Sequence, residues 1–400
     1  MKAVVYKYGG TSVATTSLMK EIVKAVVARK KAGFEVVVVV SAMGDTTDRL
    51  VELSHEVCEV PDSRELDLML ATGEQVSVSL LTMAFLAQGY DAIGLTGFQA
   101  GIQTVGKHTK NKIKDIQMSR IKAALEAHQI VVIAGFQGMN ERGDITTLGR
   151  GGSDLTAVAL ASKLKCACHI YTDVLGIYGV DPRLYKSAKR LKEMSYEEMM
   201  EMASLGARVM DARAIEVGYR YHVPIYVAKS LSDEEGTWIK EKEQMLEEKV
   251  ITGLSVSDHI LMITISEIEF KLDYIALIFE KLAVAEVNID MISQTAPLNE
   301  KINISFTASR DDLSVILGVI AALKEELGVK VLIEDQISKI SVIGMGMMNQ
   351  SGVTAKVFRL LANHQIQFHQ VTTSEVSISY TIQSCDNQKA VQVLAKALNL

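Results

Sequence analysis

Glu35-Val-Val-Val-Val-Val-Ser41 decides the fold of this 400-residue chain. Five successive valines predict a strand buried on both faces, as in a parallel sheet with helices on each side. Outward from it, further strand-like apolar runs fall at residues 3–6, 130–135, 169–172 and 224–228. Helical patterns separate them at 17–31, 64–88, 119–127, 154–164 and 196–221. That alternation predicts an α/β fold with a doubly wound, mostly parallel sheet. In such sheets ligands bind beyond the carboxyl ends of the strands.

Two polar, glycine-rich stretches stand where a ligand would be expected. Lys7-Tyr-Gly-Gly-Thr-Ser12 follows the first strand, and Thr147-Leu-Gly-Arg-Gly-Gly-Ser-Asp154 opens an apolar helical run. Glycines let backbone N–H groups close on an anion without a Cβ in the way. A helix N-terminus adds partial positive charge at the same place. Arg150 can hold a carboxylate or phosphate with two parallel hydrogen bonds. Two anion cradles, each with its own cation, point to a site that handles two anionic substrates. Taken alone, either stretch could be a tight turn. Lys7 alone could be a strand-end lysine, Glu74 a helix-surface charge and Asp154 a partner of the helix dipole.

The chain is long enough for two or three domains. An apolar fraction of 48% with only 4 prolines fits an ordered chain, and a net charge of −6 argues against nucleic acid or an acidic membrane as partner. No apolar stretch reaches bilayer-spanning length and no signal-peptide pattern opens the sequence, so a cytoplasmic protein is expected. Cys58, Cys166, Cys168 and Cys385 read as scattered reduced thiols. Cys166-Ala-Cys168-His169 is too tightly spaced, and too isolated, for a zinc site, so no metal-ligating set is expected. Gly101-Ile-Gln-Thr-Val-Gly-Lys107 approaches a phosphate loop, but His108 stands where a Mg²⁺-holding hydroxyl belongs. Gly344-Met-Gly-Met-Met-Asn349 lacks the third glycine of a dinucleotide fingerprint.

Charged residues 232–249 read as a connector after a first domain spanning 1–231. Beyond it the sequence repeats. Ile278-Phe-Glu-Lys-Leu-Ala-Val-Ala-Glu-Val-Asn-Ile289 aligns with Val357-Phe-Arg-Leu-Leu-Ala-Asn-His-Gln-Ile-Gln-Phe368. The first copy, 258–336, reads βαββαβ in the ferredoxin-like order. The second, within 337–400, ends before its last strand. The apolar segment 250–256 is left over ahead of the first copy. It is expected to complete the second sheet, so that residues 250–257 plus 337–400 form one domain with the first copy inserted in it. An effector bound there could then pull on 247–249.

Six stretches in order now carry a resemblance. Lys7-Tyr-Gly-Gly-Thr-Ser12, Val39-Val-Ser-Ala-Met43, Ala71-Thr-Gly-Glu74, Gly149-Arg-Gly-Gly-Ser-Asp154, Tyr171-Thr-Asp-Val174 and Val180-Asp-Pro-Arg183 are similar to the motif set of aspartate kinases. Those enzymes belong to the amino acid kinase superfamily, and the repeated C-terminal units resemble their tandem ACT domains. The resemblance implies transfer of the γ-phosphoryl group of ATP, with Mg²⁺, to the side-chain carboxylate of L-aspartate. It also implies feedback by an end-product amino acid, lysine or threonine, in lysine, threonine and methionine biosynthesis. Because the sequence stops after the ACT pair, the form without a fused homoserine dehydrogenase is expected. A carboxylate acceptor is already ionised and needs no general base, which agrees with the lack of histidine in these motifs.

By the same resemblance Lys7 stabilises the moving phosphoryl group and Asp154 orients Lys7. Glu74 takes the aspartate amino group and Arg150 its α-carboxylate. Ser41, Thr47, Gly151, Gly152 and Ser153 complete the substrate site. Lys7, Tyr8, Gly9, Gly10, Thr172, Asp173, Tyr178, Asp181, Arg183, Arg208 and Val209 are assigned to ATP. Asn288, Asp290, Gln294, Ser351, Gly352 and Val353 are assigned to an effector. Three stretches depart from the family pattern. Gly206-Ala-Arg-Val-Met-Asp-Ala212 replaces Gly-Ala-Lys-Val-Leu-His-Pro, and Lys271-Leu-Asp-Tyr274 stands where a glycine usually opens the first ACT helix. Gln367-Phe-His-Gln370 replaces Asn-Ile-Glu-Met, so one effector site per chain is expected. A homodimer or larger assembly through the ACT domains is expected. The rival readings are a glutamate-type amino acid kinase and an amino-acid-sensing regulator with an inactive kinase domain.

Overall fold

In the computed structural model, which describes residues 2–207, 209–241, 250–349 and 352–400, the valine run is the middle of a large sheet. The chain divides into two units. The first holds residues up to Tyr178, Arg190–Ala203 and 209–241. Its elements are β1 (Ala3–Tyr8), α1 (Thr16–Lys31), β2 (Glu35–Val40), α2 (Thr46–Val57), α3 (Ser63–Leu70), α4 (Thr72–Ala87), β3 (Ala92–Leu95), β4 (Ile102–Val105), β5 (Lys112–Ile116) and α5 (Ser119–Glu126). There follow β6 (Ile130–Ala134), β7 (Gln137–Met139), β8 (Ile145–Thr147), α6 (Gly152–Leu164), β9 (Cys168–Thr172), β10 (Glu193–Met194), α7 (Tyr196–Ser204), α8 (Ala212–Arg220), β11 (Ile225–Lys229) and β12 (Thr237–Ile239).

Eight strands form one sheet in the order β10-β12-β11-β9-β1-β2-β6-β3, parallel except where β12 meets β11. Val36, Val38 and Val40 pack with Met19, Ile22, Val23 and Val26 of α1 and Val78, Leu81 and Phe85 of α4. On the other face α6 lies over β1 and β2. All five valines are fully buried, which is why no polar residue interrupts the run. A smaller sheet, β5-β4-β7-β8, stands beside the strand ends.

Three expectations change. The helix over 64–88 is two helices that meet at Ala71, and the one over 196–221 is interrupted before Asp211. Asp211 starts α8 by accepting the N–H groups of Arg213 and Ala214. Short strands β3, β4, β5, β7, β8, β10 and β12 carry too few residues for a clear period. Of these, β12 lies in the charged connector. Thr237 Oγ1 is buried, accepts from Ile177 N–H (2.9 Å) and donates to the Leu191 carbonyl (2.6 Å). Trp238 packs on Tyr226 at 4.8 Å, so the first unit continues past residue 231. The rest of the connector, 242–249, lies outside the described residues.

The second unit holds Gly179–Lys189, Ser204–Ala207 and residues 250–400. Its elements are β13 (Gly253–Ser257), β14 (Ile260–Glu269), α9 (Leu272–Val284), β15 (Ile289–Gln294), β16 (Lys301–Ser309), α10 (Leu313–Leu327), β17 (Lys330–Glu334), β18 (Ile337–Ile343), α11 (Val353–Asn363), β19 (Phe368–Thr373), β20 (Ser377–Gln383) and α12 (Asn387–Leu398). They make two antiparallel sheets, β15-β16-β14-β17 and β13-β18-β20-β19. β13 pairs with β18 from Gly253–Ile343 to Ser257–Lys339. Everything from β14 through β17 is thus inserted between two neighbouring strands of the other sheet. Val180 is buried in the core of that second sheet, with Leu184, Tyr185 and Ala188 against it. The Gly179 carbonyl accepts from Leu254 N–H at 2.7 Å.

Candidate active site

Alternation along β1 sends Tyr6 and Tyr8 to the α1 face and Lys7 to the face under α6. There Lys7 Nζ meets Asp154 of the first turn of α6 at 2.7 Å, each side chain 11% exposed. The helix starts at Gly151, whose φ of 72° is left-handed. A Cβ there would strike Asp211 at 2.4 Å. A Cβ on Gly152 would meet Leu148 at 2.8 Å, and one on Gly135 would meet Ser153 Oγ at 2.7 Å. Side-chain-free backbone is therefore required on three sides of this turn.

The first glycine loop closes over the same strand ends. Gly9 N–H donates to the Tyr171 carbonyl (3.1 Å), Ser41 N–H to that of Tyr8 (3.2 Å) and Gly44 N–H to that of Gly10 (3.0 Å). A Cβ on Gly9 would lie 3.4 Å from Lys7 Nζ, and one on Gly10 would lie 2.9 Å from the Ala42 carbonyl oxygen. Tyr8 stacks its ring on Tyr171 at 5.0 Å in the core, where burial raises its pKa well above normal. Tyr8 therefore offers the loop its backbone and not its ring.

Glu74 belongs to the first turn of α4 and is 2% exposed. Ala42 N–H donates to its Oε1 at 3.0 Å, whereas Oε2 is buried without a partner among the described residues. Burial pushes the Glu74 pKa up to about 7 against the opposing effect of hydrogen bonds from the backbone of Ala42 and of Glu74 itself. Buried polar atoms normally have a hydrogen-bond partner, so this oxygen stands out among the described residues. A Cβ on Gly73 would meet Ala42 Cβ at 2.8 Å and Thr46 Cγ2 at 3.5 Å, so the start of α2, with Thr47, lies against the start of α4. Arg150 is exposed and makes no ion pair among the described residues, while its carbonyl accepts from Arg213 Nη2 at 2.9 Å. Lys7, Gly9, Gly10, Ser41, Glu74, Ser153 and Asp154 are thus linked by direct contacts or through Ala42 and Gly135.

The residues assigned to ATP are divided. Thr172 Oγ1 donates to Asp173 at 3.0 Å, and the Thr172 carbonyl accepts from Ser230 N–H at 2.8 Å. Tyr178 bridges to Arg190 through the backbone. Asp181 and Arg183 fall in the second unit and bind each other, with Arg183 Nη2 to Asp181 Oδ2 at 2.6 Å. The Arg183 hydrogen bonds lower the Asp181 pKa. Val209 is partly buried, and Arg208 lies outside the described residues.

Of the effector set, Asn288, Asp290 and Gln294 are exposed along and just before β15. Gly352 opens α11 with a φ of 95°, Val353 is its first residue, and Ser351 lies outside the described residues. Lys339 of β18, buried opposite Ser257 and Thr381, pairs with Asp290. Gln370 Nε2 donates to Ser293 Oγ at 3.0 Å. Sequence reasoning missed Lys339, and it missed Asp67, which is fully buried on α3. For Lys339, a charged residue between Ile337 and Ile340, that pattern was the available signal; Asp67 lies on a helix that also carries Arg64 and Glu65, which hides it.

The chain matches the amino acid kinase family over residues 2–229 and the ACT domain over 340–398. It is 43% identical to the aspartokinase of Geobacillus stearothermophilus over 401 residues, covering 100% of this chain and 98% of that one. The chain belongs to the aspartokinase family. Aspartokinase 2 of Bacillus subtilis is likewise 43% identical over 402 residues, 100% of this chain and 98% of its own. An aspartate kinase structure from Synechocystis is 34% identical, with a TM-score of 0.56, covering 100% of this chain and 69% of that one. The fold of E. coli aspartokinase III, crystallised with aspartate and ADP, superimposes with a TM-score of 0.81 at 22% identity and full coverage of both chains. Membership in the aspartokinase family gives the cluster around Lys7 and Glu74 its chemical context.

Proposed function

We propose that the chain transfers the γ-phosphoryl group of ATP to the side-chain carboxylate of L-aspartate, giving 4-phospho-L-aspartate and ADP. The observation that carries this reading is Glu74, whose buried, unpartnered Oε2 suits the ammonium of an amino acid. It is tied through Ala42 to the loop that closes over Lys7. Arg150, exposed at the turn before α6, takes the α-carboxylate; Thr47, Gly151, Gly152 and Ser153 shape the remaining contacts, and Ser41 lies between substrate and phosphates. Lys7 neutralises charge on the moving phosphoryl group, and Asp154 holds Lys7 in place. Gly9, whose N–H is held by the Tyr171 carbonyl, leaves room for the phosphates beside Lys7, and Gly10 approaches them with its backbone. Thr172, Asp173, Tyr178, Asp181, Arg183, Arg208 and Val209 serve the nucleotide. ATP enters with Mg²⁺ held chiefly by its own phosphate oxygens and water. The reaction has no proton to remove, so positioning and charge supply the catalysis.

Residues 1–231, extended by β12, form the kinase domain. Residues 258–336 form the first ACT domain, and 250–257 plus 337–400 the second. An amino acid effector, lysine or threonine, binds along Asn288, Asp290 and Gln294 or at Ser351, Gly352 and Val353. It inhibits by binding the less active state more tightly. Packing of α4 on β3 and β6 supports a protein that works in solution, in the cytoplasm where ATP and aspartate are available.

ADP release measured with a panel of acceptors tests the substrate. Aspartate is expected to give the highest kcat/KM. Preference for glutamate or an acylated amino acid would move the chain to another substrate class, and no turnover with any acceptor would favour an inactive sensor. Assembly gives a second expected outcome. β15 and β17 edge one ACT sheet, and β19 edges the other, whose β13 side is met by the Gly179 carbonyl. Unpaired edges are protected by pairing between copies. Light scattering at micromolar concentration should give a dimer mass or more; a stable monomer with and without amino acids would contradict this.

A further inference from the structure

Asp67 makes no contact that the proposed chemistry uses, yet its side chain is completely buried on α3. Its carboxylate accepts from three groups of distant origin. Thr109 N–H donates at 3.1 and 3.0 Å, His108 Nδ1 lies 2.7 Å away, and the buried Thr147 hydroxyl donates to Oδ1. Thr109 has a φ of 66°, a left-handed conformation that a β-branched residue rarely holds. Such backbone persists only where its surroundings force it, and the Asp67 carboxylate is what its N–H meets. The strained residue then faces the substrate loop. A Cβ on Gly149 (φ 76°) would lie 2.9 Å from the Thr109 carbonyl oxygen, and Asn111 N–H donates to the Thr147 carbonyl at 3.1 Å.

We propose that Asp67 is a positioning residue for aspartate binding, setting the Gly149–Arg150 turn at a fixed place relative to Glu74. α3 leads through Ala71 into α4, whose first turn carries Glu74. Gln137 Nε2 donates to the Ala71 carbonyl at 2.8 Å, so the same junction is also pinned to β7. One carboxylate on α3 therefore holds Thr147, at the root of the Arg150 turn, next to the helix pair that presents Glu74. An amino acid must reach Glu74 with its ammonium and Arg150 with its α-carboxylate, atoms separated by two bonded carbons. The spacing of the two protein groups is thus a specificity determinant, and Asp67 fixes it. This inference rests on the substrate reading above.

Asp67→Asn offers one acceptor oxygen to the three donors and brings two N–H groups of its own. Thr147→Val removes one donor with little change of shape, and Thr147→Ser restores the hydroxyl. Asp67→Asn should raise the KM for aspartate at least tenfold while the KM for ATP changes less than twofold. Thr147→Val should move the same constant in the same direction by a smaller factor, and Thr147→Ser should return it toward wild type. Amide exchange without ligands should speed up over residues 147–152 in Asp67→Asn and stay unchanged in β1. An unaltered KM for aspartate in both Asp67→Asn and Thr147→Val, or equal rises for both substrates, would overturn the inference. So would wild-type exchange in residues 147–152. A wild-type chain that ignores aspartate would instead overturn the substrate reading, leaving the exchange experiment to judge the role of Asp67.

Discussion

Lys7→Ala should lower kcat on the order of 10²–10³-fold and leave the KM for aspartate close to wild type. Lys7 is held at 2.7 Å from Asp154 and borders Gly9 of the first glycine loop. Its charge matters most when negative charge shifts along the transferring group, which is why the loss belongs in kcat. Removing the cation also leaves Asp154 as an unpaired, largely buried carboxylate, and breaking such a pair costs about 3–5 kcal/mol of stability. Lys7→Ala/Asp154→Asn separates the two effects: it should recover thermal stability without recovering kcat. A single variant with wild-type kcat at saturating substrates would remove Lys7 from the chemistry.

Glu74→Gln should raise the KM for aspartate about 30-fold or more, because a buried charge partner of the substrate ammonium is lost. The same substitution should stabilise the unliganded protein. Glu74 titrates near 7 in the fold against an ordinary 4.5. The folded chain therefore binds more protons than the unfolded chain between those values, and stability falls as pH rises through that window. At pH 8 the buried charge costs about 3 kcal/mol, a cost the glutamine does not carry. The variant should melt higher at pH 8, and the difference should close toward pH 4.5. In the wild type the KM for aspartate should rise as pH falls below about 7, since protonated Glu74 no longer attracts an ammonium. Glu74→Gln should lose that dependence. An unchanged KM for aspartate in the variant would deny Glu74 its role.

What could be read from the linear chain was what local pattern encodes. The valines of β2 declared a two-sided sheet because burial on both faces leaves no polar position. The glycines at 10, 149, 151 and 152 marked the strand-end loops because a Cβ is not tolerated there. The β13 segment was noticed because the second repeat lacked a strand. Contacts set by distant partners were hidden. Asp67 and Thr147 are eighty residues apart in sequence, and nothing near either one signals the bond between them. The break at Ala71 was masked by apolar residues that continue the helical period from α3 into α4. β12 was hidden by its charged flanks, although Thr237 and Trp238 pack inward. Lys339 gains its partner only through the fold, which brings Asp290 of β15 to it.

Trapping the product with hydroxylamine tests the central claim most directly. Incubated with ATP, Mg²⁺, hydroxylamine and either L-aspartate or L-glutamate, the protein should convert aspartate to its 4-hydroxamate, in amounts equal to the ADP released. Glutamate should give little. Hydroxamate from glutamate but not aspartate, or ADP release with no hydroxamate from either, would contradict the account.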